Sequence, residues 1–524
     1  MQTRFGGRGK PSEGQAATRR PDAWKHGRVL SRGQAGELAR AFAGHGYEVD
    51  AVVELLGEAE HRALGRNATV PGRRALGGRR DPLSTFTRLW LLQDPVPYAA
   101  LAAALPGLVE PLVQAGLIQA DGDKVRALVD VRPYASDDGA SGWVVSDLTP
   151  GLDTANRPMR TDFVLGVSSA STTLAQLTLR RPVERALDLG SGCGVQSLHL
   201  ARHARTVVGT DLNPRAVALA RLTADLNGVE VDLREGDLYA PVAGERFDLI
   251  VSNPPYVMSP PTGERLTYRE GSLAADGLVE AVVRSGVEHL TEGGVLQVLG
   301  NWAHVRGQDW RDRVDGWLAP DLDVHVVERE VLDPYAYVEL WLADAGLAGT
   351  PGYRDRYAGW CDYFDSLGIE GVGLGWITAR RRVRNTPDGP GEIARRLEAW
   401  PYAVEQPIAP ALAAALAAID RLRPMSDDDL LATPWRLAPD VVEESLGAPG
   451  SADPTSVVLR QQRGFRRAVQ VDTALGGVLG ACDGELALGT LVDTVAGLLD
   501  ADAAALRTRV VDSVRTLALD GMLI

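Results

Sequence analysis

The stretch from Val183 to Pro260 constrains the fold more than any other part of this 524-residue chain. Short apolar runs recur in it, and each ends at a glycine turn or a polar residue. The successive endings are Asp188-Leu189-Gly190-Ser191-Gly192-Cys193-Gly194, Gly209-Thr210-Asp211, Gly236-Asp237-Leu238 and Ser252-Asn253-Pro254-Pro255-Tyr256. These intervals are typical of a parallel sheet that feeds successive loops toward one edge, which is the layout of a nucleotide-type ligand site.

Three alternating glycines, Gly190, Gly192 and Gly194, separate the first apolar run from a helical run. Glycine allows a sharp turn and a close approach to a ligand, and the free N–H groups of a helix start favour an anionic group. The G-x-G-x-G spacing differs from the G-x-G-x-x-G of pyrophosphate binders. It therefore favours a cofactor with a small anionic end.

Two acidic residues follow the next strands at informative positions. Asp211 comes about 20 residues after the first glycine, where a carboxylate accepts hydrogen bonds from a ribose diol. Asp237 closes the third strand unit and is placed to accept from an adenine amino group, with Leu238 against the ring. These motifs in this order are stronger evidence for a nucleotide-type ligand site than a glycine triad alone.

These motifs resemble the class I S-adenosylmethionine-dependent methyltransferases, and within them the Asn-Pro-Pro-Tyr group of N6-adenine, glutamine N5 and methyltransferase small domain proteins. The resemblance covers roughly Phe163 to Leu342. Elsewhere the chain shows a looser likeness to actinobacterial methyltransferase-like proteins with flanking helical domains. The resemblance implies S-adenosyl-L-methionine as cofactor and a catalytic role for Asn253, Pro254, Pro255 and Tyr256. The cofactor residues that it implies are Asp188, Gly190, Gly192, Gly194, Asp211, Asn213, Asp237 and Leu238.

The Asn-Pro-Pro-Tyr loop also has a physical interpretation of its own. The Asn253 side-chain oxygen and the Pro254 carbonyl can hold the two hydrogens of an amino or carboxamide nitrogen and turn its lone pair toward the sulfonium methyl. The prolines stiffen the loop, and Tyr256 offers a flat face for a planar acceptor. The alternative is a Pro-Pro turn that ends a strand, with Asn253 as a turn residue.

The composition argues against several classes of function. The formal net charge of −14 gives no overall attraction to nucleic acid or to anionic membranes, so any nucleic-acid contact needs a local basic patch. The three cysteines lie far apart and the histidines do not cluster with them, which argues against a metal site or a disulfide framework. We expect a cytoplasmic protein without a membrane-spanning segment.

The chain divides by composition into four expected regions: a disordered basic tail (1–30), a helical, winged-helix-like domain (31–135), the methyltransferase domain with an extra C-terminal strand (136–385) and a second helical, winged-helix-like domain (390–524). The expected fold class is α/β, with a Rossmann-like seven-stranded sheet. The helix at the recognition position, Gly107 to Ala115, has no lysine or arginine. Packing or protein binding is therefore favoured there over nucleic-acid binding.

The later part of the methyltransferase region contributes three expectations. The polar segment Met258 to Gly277 is long enough to act as a substrate lid. Val324 to Glu328 and Tyr335 to Leu342 are predicted to form the last strands of the sheet. Gly371 to Thr378 is predicted as one more strand, which leads into the arginine cluster Arg380 to Arg384. That cluster is either a solvated strand end or a patch that faces phosphates.

The sequence predicts an N-methyltransferase acting on a planar nitrogen of a macromolecular substrate, and it leaves the oligomeric state open. A base amino group in RNA or DNA fits the loop, Tyr256 stacking and the arginine cluster. A glutamine side chain of a protein, as in the release-factor glutamine methyltransferases, fits the same loop and the overall acidity. A small molecule or peptide is the third alternative, and a binding scaffold without turnover is disfavoured by the intact loop.

Overall fold

The computed structural model describes residues 30–154, 159–261, 269–271, 273–383, 394–449 and 455–524. The predicted basic tail lies outside these residues except for Leu30, and the predicted linker from Pro387 to Gly391 also lies outside them. Among the helices within the described ranges, none is long and apolar enough to cross a membrane.

Capping residues set the starts of the N-terminal helices. Ser31 accepts the Gln34 N–H, and the Gln34 side chain accepts the Ser31 N–H in return. Asp81 caps a later helix whose first residue is Pro82. The helices are α1 (Arg32–Gly44), α2 (Val49–Leu56), α3 (Glu58–Leu64), α4 (Val70–Leu76) and α5 (Pro82–Phe86), which continues as a π-helical segment, Thr87–Leu91.

A winged-helix arrangement follows α5. Its elements are β1 (Val96–Pro97), α6 (Tyr98–Ala104), α7 (Val109–Gln114), β2 (Ile118–Asp121) and β3 (Lys124–Ala127). The three strands form an antiparallel sheet in the order β1-β3-β2, as expected for a helix, strand, helix, helix and hairpin in succession. Helix α7 occupies the recognition position, and it carries no basic residue.

A hairpin joins this region to the rest of the chain. Strand β4 (Val129–Ala135) pairs with β5 (Ser141–Asp147), so the boundary predicted between residues 135 and 136 is wrong, because it falls inside the hairpin. The Trp143 indole N–H donates to the Tyr47 carbonyl at 2.7 Å. The hairpin is therefore anchored on the N-terminal helices.

The central sheet has eight strands in the order β13-β11-β12-β10-β9-β6-β7-β8, and β12 runs antiparallel to both of its neighbours. The strands are β6 (Val183–Leu189), β7 (Ala204–Asp211), β8 (Val231–Glu235), β9 (Phe247–Ser252), β10 (Leu290–Val305), β11 (Leu322–Leu332), β12 (Ile369–Arg381) and β13 (Arg395–Ala399). The helices that alternate with them are α8 (Ser169–Leu177), α9 (Val195–Leu200), α10 (Pro214–Leu226), α11 (Gly277–Gly286), α12 (Trp310–Asp315), α13 (Pro334–Asp344) and α14 (Tyr353–Leu367). The Rossmann-like α/β prediction is confirmed.

Two details of the predicted sheet are wrong. Tyr335 to Leu342 lies in α13, because Asp333 caps this helix and Pro334 begins it, and Val338 and Leu342 are buried one helical turn apart. The predicted extra strand is part of β12, the seventh strand. The eighth strand is β13, which pairs in parallel with β11 beyond the predicted boundary at residue 385.

One core unites the N-terminal helices with the sheet. Leu38 and Phe42 of α1 belong to the same buried cluster as Leu219 and Leu222 of α10. The Asn227 side chain at the end of α10 accepts the Trp143 N–H and donates to the Trp143 carbonyl. The N-terminal region therefore packs directly on the helical layer that covers β7 and β8.

The C-terminal region is less purely helical than predicted. It contains α15 (Ala409–Leu422), α16 (Asp427–Ala432), β14 (Val441–Leu446), β15 (Ser456–Gln461), β16 (Ala468–Val471), α17 (Thr473–Gly480), α18 (Leu488–Leu499) and α19 (Ala503–Leu519). Strands β14, β15 and β16 form an antiparallel sheet that the sequence analysis missed. After α17, Cys482 accepts the Leu437 N–H, and after α19, Met522 accepts the Ala438 N–H. Residues 435–438 therefore lie between these two segments, as β3 lies between β1 and β2 in the N-terminal winged helix.

The arginine cluster is a buried packing centre. Arg380 and Arg382 both pair with Asp323, which is fully buried and also pairs with Arg423 of the C-terminal region. Arg381 donates to the Leu290 carbonyl at 3.1 Å. The phosphate-facing interpretation is therefore wrong for Arg380 and Arg382, whose charge is paired with Asp323. It stays a prediction for Arg381, and Arg384 lies outside the described residues.

Replacing Asp323 with Ala is expected to lower the free energy of unfolding by about 3–5 kcal/mol, because three guanidinium groups lose their common carboxylate in a buried site. Urea unfolding followed by circular dichroism measures this. The matched control is Asp420→Ala, since Asp420 is 59% exposed and also pairs with Arg380. It should cost about 0–1 kcal/mol, and equal losses in the two variants would contradict the account.

Candidate functional site

The carboxyl ends of β6, β7 and β9 meet at one edge of the sheet and surround a cavity of about 300 Å³. Parallel pairing brings the ends together, because Leu189 lies opposite both Thr210 and Ser252. Ligands of open α/β sheets bind at such an edge. The predicted residues that line the cavity are Gly190, Gly192, Asp211, Asn213, Asp237, Leu238, Asn253, Pro254 and Pro255.

The glycine turn forms one wall of the cavity. Gly194 is the N-cap of α9 at φ +80°, and a Cβ there would lie 3.1 Å from Ala220 of α10. It thus allows α9 to pack closely on α10, and it does not line the cavity. Gly190 and Gly192 do line it, and a Cβ at either position would meet no atom within 4 Å.

Asp211 is held in place by the backbone around it. Its carboxylate accepts the Gly192 N–H at 2.9 Å and the Asn213 N–H at 2.8 Å. Burial raises the pKa of Asp211. The carboxylate therefore joins the end of β7 to the glycine turn, at the cavity wall where a ribose diol is expected.

Asn213 has a structural use in addition to its place in the cavity wall. Its side-chain oxygen accepts the Arg215 N–H at the start of α10, and its amide donates to the Asp162 carbonyl at 2.9 Å. The residue therefore connects α10 to the segment that precedes Phe163.

Asp188 lies behind the glycine turn and outside the cavity wall. Its carboxylate accepts the Ser197 hydroxyl at 2.6 Å, and burial raises its pKa to about 6, with the nearby Asp211 adding to the shift. The residue at this position of the motif therefore supports α9 through Ser197.

Asp237 and Leu238 form the wall next to Asp211. Gly236 before them has φ +154° because of the turn after β8, and Leu238 has φ +44°. Both side chains line the cavity, as the motif predicts.

The loop after β9 contributes the polar atom that most directly suggests chemistry. Asn253, Pro254 and Pro255 line the cavity, and the Ser252 hydroxyl donates to the Leu189 carbonyl at 2.9 Å. The Asn253 side-chain oxygen is buried and has no hydrogen-bond partner among the described residues. A buried acceptor without a partner carries a desolvation cost of about 1–3 kcal/mol. The atom is therefore suited to receive an N–H from a ligand.

Tyr256 lies apart from the other three residues of its motif. It is absent from the cavity wall, and its ring meets the Trp341 ring edge-on at 6.2 Å. The predicted flat face for a planar acceptor is thus turned toward α13 in this conformation.

Helix α13 holds the chain that follows the Asn-Pro-Pro-Tyr loop. The Tyr337 hydroxyl accepts the Met258 N–H at 3.0 Å and the Asn301 side-chain amide at 2.9 Å, and it is fully buried. Arg269 donates to the Trp341 carbonyl at 2.9 Å. The sequence analysis missed these contacts because it assigned Tyr335 to Leu342 to a strand.

The segment from Phe163 to Ser171 covers the other side of the cavity. Phe163, Val164 and Gly166 line it, and Asp147 fixes this segment by accepting the Val164 N–H at 2.9 Å. Asp147 also forms a buried ion pair with Arg215 of α10. Asp147 therefore anchors the part of the cavity wall that this segment forms.

Two further polar residues, Gln196 and Glu270, line the cavity, whereas the nearby carboxylate in sequence, Asp276, does not. Gln196 was not predicted; its amide nitrogen donates to the Ser171 carbonyl, and its buried oxygen has no partner in the described part of the chain. Glu270 lines the cavity together with the Asn-Pro-Pro-Tyr loop. Asp276 accepts the Ala303 N–H and pairs with Arg313, so it is structural.

The donor set fits S-adenosylmethionine. Exposed glycine backbone, the Asp211 carboxylate and the Asp237 to Leu238 wall suit an amino acid end, a ribose and an adenine, in the order that the resemblance implies. The described ranges contain no group of three or more His, Cys, Asp or Glu residues able to hold a metal ion.

Comparison with known proteins agrees with this geometry. Residues 44–128 match a domain of unknown function, DUF7059, and residues 166–308 match the methyltransferase small domain. The release factor glutamine methyltransferase of Geobacter sulfurreducens is 37% identical over 139 residues, which are 24% of this chain and 49% of that protein. The ribosomal RNA small subunit methyltransferase C of Salmonella arizonae is 28% identical over 176 residues, 33% of this chain and 45% of that protein.

The chain thus spans about half the length of the curated relatives it matches. Among solved structures, the T. thermophilus 16S rRNA N2 G1207 methyltransferase in complex with AdoMet and guanosine is 17% identical, with a TM-score of 0.27; the match covers 52% of this chain and 60% of that one. The segment that matches the methyltransferase small domain, residues 166–308, includes the glycine turn, Asp211 and the Asn-Pro-Pro-Tyr loop. This segment is therefore similar to the methyltransferase small domain, and its strands belong to the Rossmann-like α/β sheet.

Proposed function

We propose that the protein is an S-adenosylmethionine-dependent N-methyltransferase that acts on a planar nitrogen, with an RNA base amino group as its acceptor. The observation that carries this proposal is the buried side-chain oxygen of Asn253 at the cavity wall, which has no hydrogen-bond partner among the described residues. An amino group attached to a π-system is a poor nucleophile because its lone pair is delocalised. An acceptor fixed on one of its hydrogens turns that lone pair out of conjugation.

The cofactor would occupy the cavity along Gly190, Gly192, Asp211, Asp237 and Leu238. When bound, S-adenosylmethionine supplies a methyl group on a sulfonium centre. The chain holds the acceptor nitrogen in line with that methyl through the Asn253 oxygen and the Pro254 carbonyl. The Asn253 oxygen and the Pro254 carbonyl would leave the nitrogen lone pair free to accept the methyl group that the cofactor would supply, and the nitrogen would release one proton to solvent.

Positioning accounts for catalysis in this scheme. Orientation of two reactants supplies up to about 7–11 kcal/mol of barrier reduction. The thiol of Cys193, which also lines the cavity, has its pKa raised to about 11 by burial, so it stays neutral near pH 7 and is a weak nucleophile.

A glutamine side chain of a protein is the second candidate acceptor. Its carboxamide nitrogen presents the same two hydrogens to Asn253 and Pro254. The observation that favours it is the 37% identity to a release factor glutamine methyltransferase over 139 residues.

Replacing Asn253 with Ala should lower kcat by about tenfold to hundredfold and leave the affinity for S-adenosylmethionine within a few-fold of wild type. The reason is that the lost hydrogen bond is made to the acceptor in the transition state and is worth about 1–3 kcal/mol. Isothermal titration with the cofactor and methyl transfer to total RNA measure the two quantities. Equal losses in both would exclude the assigned role.

Replacing Asp211 with Ala should weaken S-adenosylmethionine binding by at least about tenfold, since the ribose acceptor and the brace on Gly192 are lost together. The control is Asp232→Ala on the neighbouring strand β8, an exposed residue that pairs with Arg234. It should bind the cofactor as wild type does. Unchanged cofactor affinity in Asp211→Ala would remove Asp211 from the site.

Replacing Tyr337 with Phe should lower kcat several-fold with unchanged cofactor affinity, because the Met258 N–H and the Asn301 amide lose their acceptor and the catalytic loop shifts. Tyr335→Phe is the matched control, since Tyr335 lies on the same helix and is 61% exposed. If both variants turn over at the wild-type rate, α13 does not position the loop.

A further inference from the structure

Seven arginines and three carboxylates lie between Glu58 and Arg88, in a chain whose formal net charge is −14. Five of these arginines are exposed, on α3, in the turn between α3 and α4, on α4 and on the segment before α5. We call them the arginine patch: Arg62, Arg66, Arg74, Arg79 and Arg80. The stretch contains no lysine, and it lies within the region that matches the domain of unknown function.

The patch differs from the other arginine-rich segment in its partners. Among the described residues, no carboxylate pairs with Arg66, Arg74, Arg79 or Arg80 at salt-bridge distance, whereas Arg380 and Arg382 pair with Asp323. Within the described ranges the one carboxylate that pairs with Arg62 is that of Glu58, and both side chains are more than half exposed. The patch therefore presents guanidinium groups to solvent, where they keep their capacity to bind an anion.

The backbone between the two arginine pairs is open. Gly77 has φ +49°, and a Cβ on Gly78 would meet no atom within 4 Å. Arg73-Arg74 precede these glycines, and Arg79-Arg80 follow them. A ligand can thus approach the chain closely between the guanidinium groups.

The patch is joined to the segment that covers the cofactor cavity. Asp153 accepts the Thr69 N–H at 2.7 Å and pairs with Arg73, while its own N–H donates to the Asn67 carbonyl. Asp153 precedes Phe163, the first residue of the cavity cover, by ten positions. A ligand on the patch therefore lies on the element that anchors this segment.

We propose that the arginine patch binds the phosphate backbone of the RNA substrate. The inference rests on the proposed function for RNA as the carrier of the acceptor base. Arginine suits this role because its planar fork binds phosphate oxygens in pairs, and such contacts position a nucleic acid without reading its sequence. The patch supplies the local basic surface that an acidic protein needs for this purpose.

The test measures binding of a fluorescein-labelled RNA hairpin to the full chain at several salt concentrations, without cofactor. The variant is Arg74→Gln/Arg79→Gln/Arg80→Gln. The control, Arg205→Gln/Arg507→Gln/Arg509→Gln, removes the same charge from exposed arginines that pair with carboxylates. Loss of up to three phosphate contacts should weaken binding at least about tenfold at low salt and reduce the slope of log K against log salt by about 2.

Each outcome bears on the inference. Weaker binding in the patch variant alone supports it, and so does a methyl-transfer defect in that variant that saturating RNA overcomes. Wild-type affinity in the patch variant, equal losses in the two variants, or no RNA binding by the wild type would overturn it. Patch-dependent RNA binding by a chain that transfers no methyl group would support the patch and contradict the proposed function.

Discussion

The parallel pairing of β6 with β7 and β9 is the constraint on which the site depends. It places the glycine turn, Asp211 and Asn253 at one edge, although up to 63 residues separate them in sequence. Asp211 then closes the arrangement, because its carboxylate accepts N–H groups from both the glycine turn and the start of α10. The backbone amides and the acidic wall of the cavity are thus fixed by the same hydrogen bonds that hold the sheet ends together.

The Asn-Pro-Pro-Tyr loop depends on a second, more distant support. Between β11 and β12 the chain forms the helical pair α13 and α14, and Tyr337 of α13 accepts hydrogen bonds from Met258 and Asn301. Two prolines restrict the backbone conformation of the loop, and α13 holds the chain that follows it. An unpartnered Asn253 oxygen can persist there because the surrounding structure holds the loop in place. The covering segment is fixed from the opposite side by Asp147, so the cavity lies between two independently anchored elements.

The sequence predicts the part of this site that local patterns encode. Strand ends, the glycine turn and the Asn-Pro-Pro-Tyr loop are short motifs, and nine of the twelve predicted residues line the cavity. Asp188, Gly194 and Tyr256 do not, because their roles depend on Ser197, Ala220 and Trp341, which no motif includes. The partners of Arg380 lie 40 and 57 residues away, so a pattern of adjacent arginines could not show that they were paired. Strands β14 to β16 escaped prediction because they are short and only three of their sixteen residues are buried, so no clear apolar alternation marks them.

The central claim is methyl transfer to a nitrogen of RNA, and the most direct measurement is transfer of labelled methyl from S-adenosylmethionine into a lysate of a strain lacking this gene. Nuclease and protease digestions of the labelled lysate, run in parallel, identify the acceptor. We expect that RNase releases the label and that protease does not, and that the label lies on a base nitrogen. Label that only protease releases would indicate a glutamine side chain of a protein as the acceptor, contrary to this proposal. An absence of label in every fraction would contradict methyl transfer itself.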